Sequence, residues 1–533
     1  MTIMLLFKIM TKWLDDAIFY QIYPQSFYDT NGDGIGDING ITQKLDYIKE
    51  MGFNAMWINP CFDSPFKDAG YDVRNYRKVA PRYGTNDDLK KLFEESHKNG
   101  IRVLLDLVPA HTSEEHPWFL ESSKANPSNE FRNRYIWTDH CFSRPNGLGF
   151  IGGESERAGV YITSFFKCQP AVNFGFKEPT EKWQLPMNHP DCIASKEEMK
   201  DIMRFWLDMG CDGFRVDMAH SMIKLDDEKR TGTIEFWKDF RVMFDTEYPN
   251  AVLLAEWSNP TFAVEAGFHV DFLISIDDSN KGYQNLTREY KMNDFNEIID
   301  ADNSFFKKDA KDKDINIFLR DYLSHYNNVK NKGHVTLTTG NHDLVRVSYN
   351  LSQRETLLFY LLVFTLPSIP FLYYGDEIGM RYLYKTPTKE GGYYRTGSRT
   401  PMQWNNEKNL GFSNTVQSKL YLPIDDSNDA PNVDLQQKDK RSLLNGVKEL
   451  IKLRKDNKSL QTEANLEILL AEKNKMPFVY KRNNYIIALN TDEIDAEIPI
   501  EYDCELIYSI GECSLENNIC RVGAQSSGIW KIK

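Results

Sequence analysis

Apolar positions in the first half of the chain repeat in one order: amphipathic helix, glycine, apolar strand, polar loop. Between residues 42 and 51, Leu45, Ile48 and Met51 recur at helical spacing, Gly52 ends the helix, and an apolar strand follows at 53–58. The same order runs from Asn86, read as an N-cap, through Leu89, Leu92 and Phe93 to Gly100 and a strand at 101–107. It returns at Ser195, read as a capping box with Glu198, where Met199, Ile202, Met203 and Trp206 share a face. Gly210 ends that helix ahead of a strand at 213–216. Glycine suits each helix end because the position after the last turn favours a left-handed backbone.

Further apolar runs at 17–22, 252–255, 270–274, 334–338 and 369–373 bring the strands to eight. Wholly apolar strands separated by helices imply parallel pairing with both faces covered. The pattern predicts an α/β fold, a (β/α)8 TIM barrel, over an open doubly wound sheet. Two stretches break it. Residues 111–184 carry no helix–strand unit and read as a domain inserted after strand 3. After a helical stretch at 441–454, short alternating runs predict a C-terminal antiparallel β-sandwich over 458–533. The barrel then comprises 1–110 and 185–457, with a long polar loop at 386–439.

Composition narrows the function classes. A formal charge of −13 over 533 residues excludes the basic footprint of a nucleic-acid-binding surface. No run reaches the roughly 20 apolar residues of a membrane helix. The apolar N-terminal run is broken by Lys8 and has neither a basic lead nor a small-residue cleavage site, so no signal peptide is expected and the protein is read as cytoplasmic. The first nine residues are not expected to contribute to the fold. Eight scattered cysteines read as thiols. No organic cofactor and no obligate protein partner are expected.

In a barrel of this kind reactive groups project from the C-terminal ends of strands. Four strands end in charged or imidazole groups: Asp106 with His111, Arg215 with Asp217, Glu256, and His342 with Asp343. One such carboxylate is ordinarily a helix cap; four around one mouth suit glycosidic cleavage. That chemistry needs one carboxylate ionised to attack and another protonated to assist departure. Arg215, two residues before Asp217, points the same way along the strand and keeps that carboxylate charged.

A separate loop places Asp29, Asn31, Asp33 and Asp37 at alternating positions among glycines. Their oxygens, with the Ile35 carbonyl, suit a hard cation: calcium in a structural role, with magnesium as the alternative. The rival is a loop of Asx turns without metal. Position twelve is Gly40, so this is not an EF-hand.

From about Trp13 to Arg454 the chain resembles the α-amylase family of glycoside hydrolases, on its α-glucosidase, oligo-1,6-glucosidase and trehalose synthase branch. The resemblance rests on Asp106-Leu-Val-Pro-Ala-His111, Gly213-Phe-Arg215-Val-Asp217, Leu254-Ala-Glu256-Trp257 and Gly340-Asn-His342-Asp343. Gly70-Tyr71-Asp72, Tyr374-Gly-Asp-Glu-Ile-Gly379 and Arg399-Thr-Pro-Met-Gln-Trp404 add to it. It implies Asp217 as nucleophile, Glu256 as general acid and base, and Asp343 as the group that clamps sugar hydroxyls. Tyr71, His111, His342 and Arg215 would line the sugar site, and Asp72 with Arg399 would close its floor. A closed floor implies removal of single glucose units from chain ends of small α-glucosides. A glucosyl-transferring enzyme such as trehalose synthase is the alternative. Ala110 and Ala171 depart from the branch's pattern, the first putting an amylase-type calcium site between barrel and inserted domain in doubt, and Met218 departs from it too, leaving linkage preference open.

Overall fold

The computed structural model describes residues 11–126, 128–274, 281–287, 291–292, 298–300 and 304–533. The expectation for the first nine residues lies outside them. Eight parallel strands close a barrel: β1 (Phe19–Ile22), β2 (Ala55–Ile58), β3 (Arg102–Leu107), β4 (Gly213–Val216), β5 (Val252–Ala255), β6 (Val270–Phe272), β7 (His334–Thr338) and β8 (Ile369–Tyr373). Each pairs with its sequence neighbours, and closure comes where Phe19 of β1 faces both Ala55 of β2 and Phe371 of β8.

Side chains of alternate parity fill the interior, because successive strand residues point to opposite faces. Phe19, Trp57, Leu104, Leu254, Phe272 and Phe371 form one packed cluster inside the barrel, with Phe19 stacked on Phe371 at 4.2 Å. Residues of the other parity pack outward against the helices. At Gly213, φ is +145° and a Cβ would lie 2.1 Å from the Val252 carbonyl oxygen, so the β4–β5 approach requires glycine.

Two helix starts differ from expectation. Thr85, not Asn86, is the N-cap of Asn86–Lys98 and forms a reciprocal box with Asp88. The Asn86 side chain instead accepts from Val79 N–H and donates to Arg77 C=O, tying the helix start to the preceding strand. Ser195 lies inside a longer helix, Pro190–Met209, capped by His189 with proline at its first position; its hydroxyl donates to the Asp191 carbonyl. Gly52 and Gly210 do adopt the left-handed C-terminal conformation.

After β3 the chain leaves the barrel through a short helix, Pro117–Ser122, and a two-stranded hairpin, Phe150–Gly152 with Val160–Ile162. Beyond the last barrel-side helix, Leu443–Asp456, lie two antiparallel sheets of five and three strands. Val479, Ile486, Val522 and Trp530 meet in an apolar cluster to which both sheets contribute, a sandwich arrangement. Among the described residues no helix is long and apolar enough to cross a membrane.

The capping assignment has a measurable consequence. Thr85→Ala removes the acceptor for the Asp88 amide and is expected to cost about 1 kcal/mol in denaturant unfolding. An unchanged midpoint would show that the box contributes nothing.

Candidate active site

The C-terminal ends of β3, β4, β5 and β7 converge as the sequence predicts. Arg215, on β4, is buried with 2% of its side chain exposed. Its Nη1 donates to Asp106 Oδ1 at 2.8 Å and to Asp217 Oδ1 at 3.0 Å, and its Nη2 pairs with Glu256 Oε1. One guanidinium thus holds three carboxylates from three adjacent strands. Glu256 Oε2 also accepts from the Met218 amide at 3.1 Å. Met218, directly after Asp217, has φ +43° and ψ +44°, a left-handed conformation that strains a residue with a long side chain. The turn that aims the Met218 amide at Glu256 is where this strain sits.

A second network fixes the imidazole of His342. The amides of Gln21 and Asn59 donate to its Nδ1 at 3.1 and 3.2 Å, which leaves the proton on Nε2. That nitrogen faces Asp343 Oδ2 at 3.1 Å and the Tyr71 hydroxyl at 2.7 Å. Tyr71 in turn donates to Asp106 Oδ2 at 3.0 Å, joining the two networks through one phenol. Trp57 donates to the same oxygen at 3.2 Å. His111 Nε2 donates to the Tyr71 carbonyl at 3.1 Å, and its buried Nδ1 has no hydrogen-bond partner.

Electrostatics separate the carboxylates. Burial and the neighbouring Glu256 carboxyl push Asp217 well above the ordinary carboxylate range, outweighing Arg215. A proton retained there belongs to the Asp217–Glu256 pair. Burial lifts Asp106 to about 7 against the pull of Arg215. Asp343 goes the other way: burial opposes its charge, but His342, Arg395 and Arg399 hold it well below the usual range. Burial keeps His342 and His111 neutral, the latter lowered to about 3.

Arg399 lies at this site but does not pair with Asp72. Its Nη2 donates to Asp343 Oδ1 and its Nε to the His342 carbonyl, at 2.9 and 2.8 Å. Asp72 is fully buried and accepts from the Ser64 hydroxyl and the Lys67 and Asp68 amides at 2.9–3.0 Å. It folds the loop that presents Tyr71 and Asp68. The carboxylate at the floor is Asp68, 3.8 Å from Arg395, whose Nη1 also reaches Asp343 Oδ1 at 2.9 Å. Two aspartates four apart lie in one loop: Asp72 is turned onto three donors of that loop, and Asp68 faces the arginines. Sequence reasoning also missed Gln21, Asn59, Trp57 and Arg395. Gln21 and Asn59, polar side chains at the C-terminal ends of β1 and β2, were the available signal.

The oxygen-rich loop folds as a series of Asx turns. Asp29 accepts from the Gly32 and Gly34 amides, Asn31 from Asp33, and Asp33 from Ile35. Asp37 takes the Thr30 amide and caps the next helix through Gly40. Burial raises the Asp37 pKa, and Asp29 adds to that as a neighbouring charge. A Cβ on Gly34 would meet the Lys419 carbonyl oxygen at 2.3 Å, so the loop is wrapped tightly against the 386–439 segment. Asn31 and Asp33 are exposed, and each of these side chains accepts from a backbone amide of its own loop, the arrangement of a loop of Asx turns.

A carboxylate cluster at the C-terminal mouth of a (β/α)8 barrel, with two more carboxylates bracketed by arginines, defines a class of sugar-processing enzymes. The α-amylase catalytic domain profile matches residues 21–463, and the chain belongs to the α-amylase family of glycoside hydrolases and transglucosylases. It is 32% identical over 480 residues to the trehalose synthase/amylase TreS of Mycolicibacterium smegmatis, covering 83% of this chain and 76% of that one. It is 31% identical over 499 residues to the oligo-1,6-glucosidase of Parageobacillus thermoglucosidasius, covering 84% of each. Among solved structures, an inactive MutB double mutant in complex with isomaltulose superposes with a TM-score of 0.81 at 23% identity, covering 98% of this chain and 99% of that one. A mutant isomaltulose synthase from Erwinia rhapontici NX5 in complex with D-glucose gives 0.80 at 25% identity over the same shares.

The two aspartates are separable by mutation. Asp68→Ala is expected to raise KM for the sugar substrate about tenfold or more, the worth of one charge-assisted hydrogen bond, with little loss of stability. Asp72→Ala strands three donors and is expected to cost about 1–3 kcal/mol in unfolding free energy. The reverse pattern would restore Asp72 to the floor.

Proposed function

We propose that this enzyme is a retaining, exo-acting α-glucosidase that hydrolyses short α-glucosides by double displacement. The observation that carries the reading is the single guanidinium shared by Asp217 and Glu256, opposite an Asp343 held ionised by two arginines. Asp217 attacks the anomeric carbon while Glu256 gives its proton to the departing oxygen. Glu256 then takes a proton from water as the water displaces the glucosyl ester. The reactive state requires Asp217 ionised and the proton on Glu256, and Arg215, which pairs with both, holds the two carboxyls side by side for that exchange. Asp343 and Arg399 grip sugar hydroxyls, His342 donates from Nε2, and the vacant Nδ1 of His111 accepts a hydrogen bond from a sugar hydroxyl. Asp68, Arg395 and Arg399 support a closed floor.

A specific observation favours the second reading, a glucosyl-transferring enzyme: relatives of comparable identity include a trehalose synthase as well as an oligo-1,6-glucosidase. Both readings use the same covalent intermediate and differ in its acceptor. Incubation with maltose, isomaltose, trehalose, sucrose and soluble starch tests the proposal. The expected result is glucose released first as the α-anomer, with slow viscosity loss on starch. Trehalose accumulating from maltose would establish transfer, and rapid thinning of starch would overturn end-acting cleavage. Asp217→Asn is expected to lower kcat at least about a thousandfold with the fold intact.

The loop of Asp29, Asn31, Asp33, Ile35 and Asp37 supports a structural calcium, which would supply stability and no chemistry. Chelation is expected to lower the melting temperature while leaving kcat unchanged where the enzyme stays folded. Calcium should restore the loss in the unsubstituted enzyme but not in Asp33→Ala. An unchanged melting temperature after chelation would dismiss the site.

A further inference from the structure

A second cluster of ligand-type side chains stands at the opposite end of the barrel from the catalytic mouth. Asp15 lies just ahead of β1, His334 is the first residue of β7, and Glu463 belongs to the link between Leu443–Asp456 and the C-terminal sheets. One ligand atom from each lies within 4.8 Å of the others. His334 is buried, 6% exposed, and its Nε2 has no hydrogen-bond partner although Asp15 Oδ1 stands 3.9 Å away. Asp15 Oδ1 is likewise buried without a hydrogen bond. Two facing polar atoms left unpaired are costly in a folded interior, and the separation is too long for one to satisfy the other.

The surroundings favour a cation over a direct contact. A cavity of about 140 Å³ is lined by His334 and Glu463 together with Tyr326, Lys330 and Asn465, so there is room for water beside these two groups. One side chain already ties the segments together: Thr462 donates its hydroxyl to the Asp15 carbonyl at 3.0 Å. Ligands about 2.0–2.2 Å from a tetrahedral ion stand about 3.3–3.6 Å apart, so a small closure from 3.9 Å suffices. The exposed Glu463 side chain, within 4.8 Å of both, can swing in as the third ligand. One imidazole and two carboxylates match a borderline ion such as zinc, whereas calcium and magnesium prefer oxygen alone.

We propose that Asp15, His334 and Glu463 form a zinc-class divalent metal site, completed by water, that clamps the chain's N-terminal lead and the C-terminal link to the base of the barrel. The site uses none of the catalytic residues and stands or falls independently of the glucosidase reading. Burial leaves His334 neutral, its pKa lowered to about 4, so its lone pair is available to a metal.

The test uses the full chain, stripped with EDTA and resupplied with calcium, then titrated with zinc chloride by calorimetry and thermal melting. The expected result is one zinc per chain whose affinity falls about tenfold or more in Asp15→Asn and in Glu463→Gln. Both positions are partly or fully exposed, so these variants should fold even if a His334 variant does not. At roughly a hundredfold excess over Kd, linkage should raise the melting temperature of the unsubstituted chain by about 2 °C. Cobalt substitution should give the visible bands of a four- or five-coordinate centre, weakened in both variants. Absence of zinc binding would overturn the proposal. So would undiminished binding in both variants, which would place the ion elsewhere.

Discussion

A buried guanidinium cannot give up its charge, and Arg215 is where the catalytic end of the barrel is organised around that fact. It draws Asp106, Asp217 and Glu256 from three adjacent strands into one plane of hydrogen bonds. One positive charge does not neutralise three carboxylates. Burial first, and the neighbouring Glu256 charge after it, raise Asp106 and Asp217, and anything cationic that forms above them relieves the excess. A glucosyl group leaving its aglycone becomes such a cation at its anomeric carbon. The site is therefore least satisfied when empty and best satisfied near the transition state, as preorganised electrostatic catalysis requires.

The second carboxylate system is balanced differently, and the difference assigns roles. Asp343 has Arg395 and Arg399 on one oxygen and His342 on the other, so its charge is settled before any sugar arrives. A settled anion suits binding and orientation; an unsettled pair suits proton transfer. Tyr71 links the two systems by touching both His342 and Asp106. Changes at either network should therefore be felt in the other, and their mutational effects should not add.

Most of the barrel was legible because its signal is periodic and redundant. All eight expected strands are present, with boundaries within two residues, and Asp217, Glu256 and Asp343 converge from the strand ends that carry them. The misreadings share one physical cause: a local pattern was overruled by a neighbour's better hydrogen bond. Ser195 and Glu198 have the spacing of a capping box, but Pro190 starts the helix earlier with His189 as its cap. Asp72 carries the motif's charge, but three donors from its own loop consume it, leaving Asp68 to face the arginines. Arg395 was invisible for another reason. It comes from the long polar loop after β8, where no periodicity marks which side chains turn inward.

That loop and the excursion after β3 also meet one another. Both bring aromatic side chains to one place: Phe166 and Tyr393 lie 6.5 Å apart in ring centroids, one from each segment, and Phe165 beside them is 60% exposed. An apolar rim of this kind can cover a sugar face and shed water, while the carboxylates beneath are unaffected by its details. Hydrolysis and transfer part only when water or a second sugar reaches the glucosyl ester. One barrel fold accordingly serves an oligo-1,6-glucosidase and a trehalose synthase at similar distances from this chain.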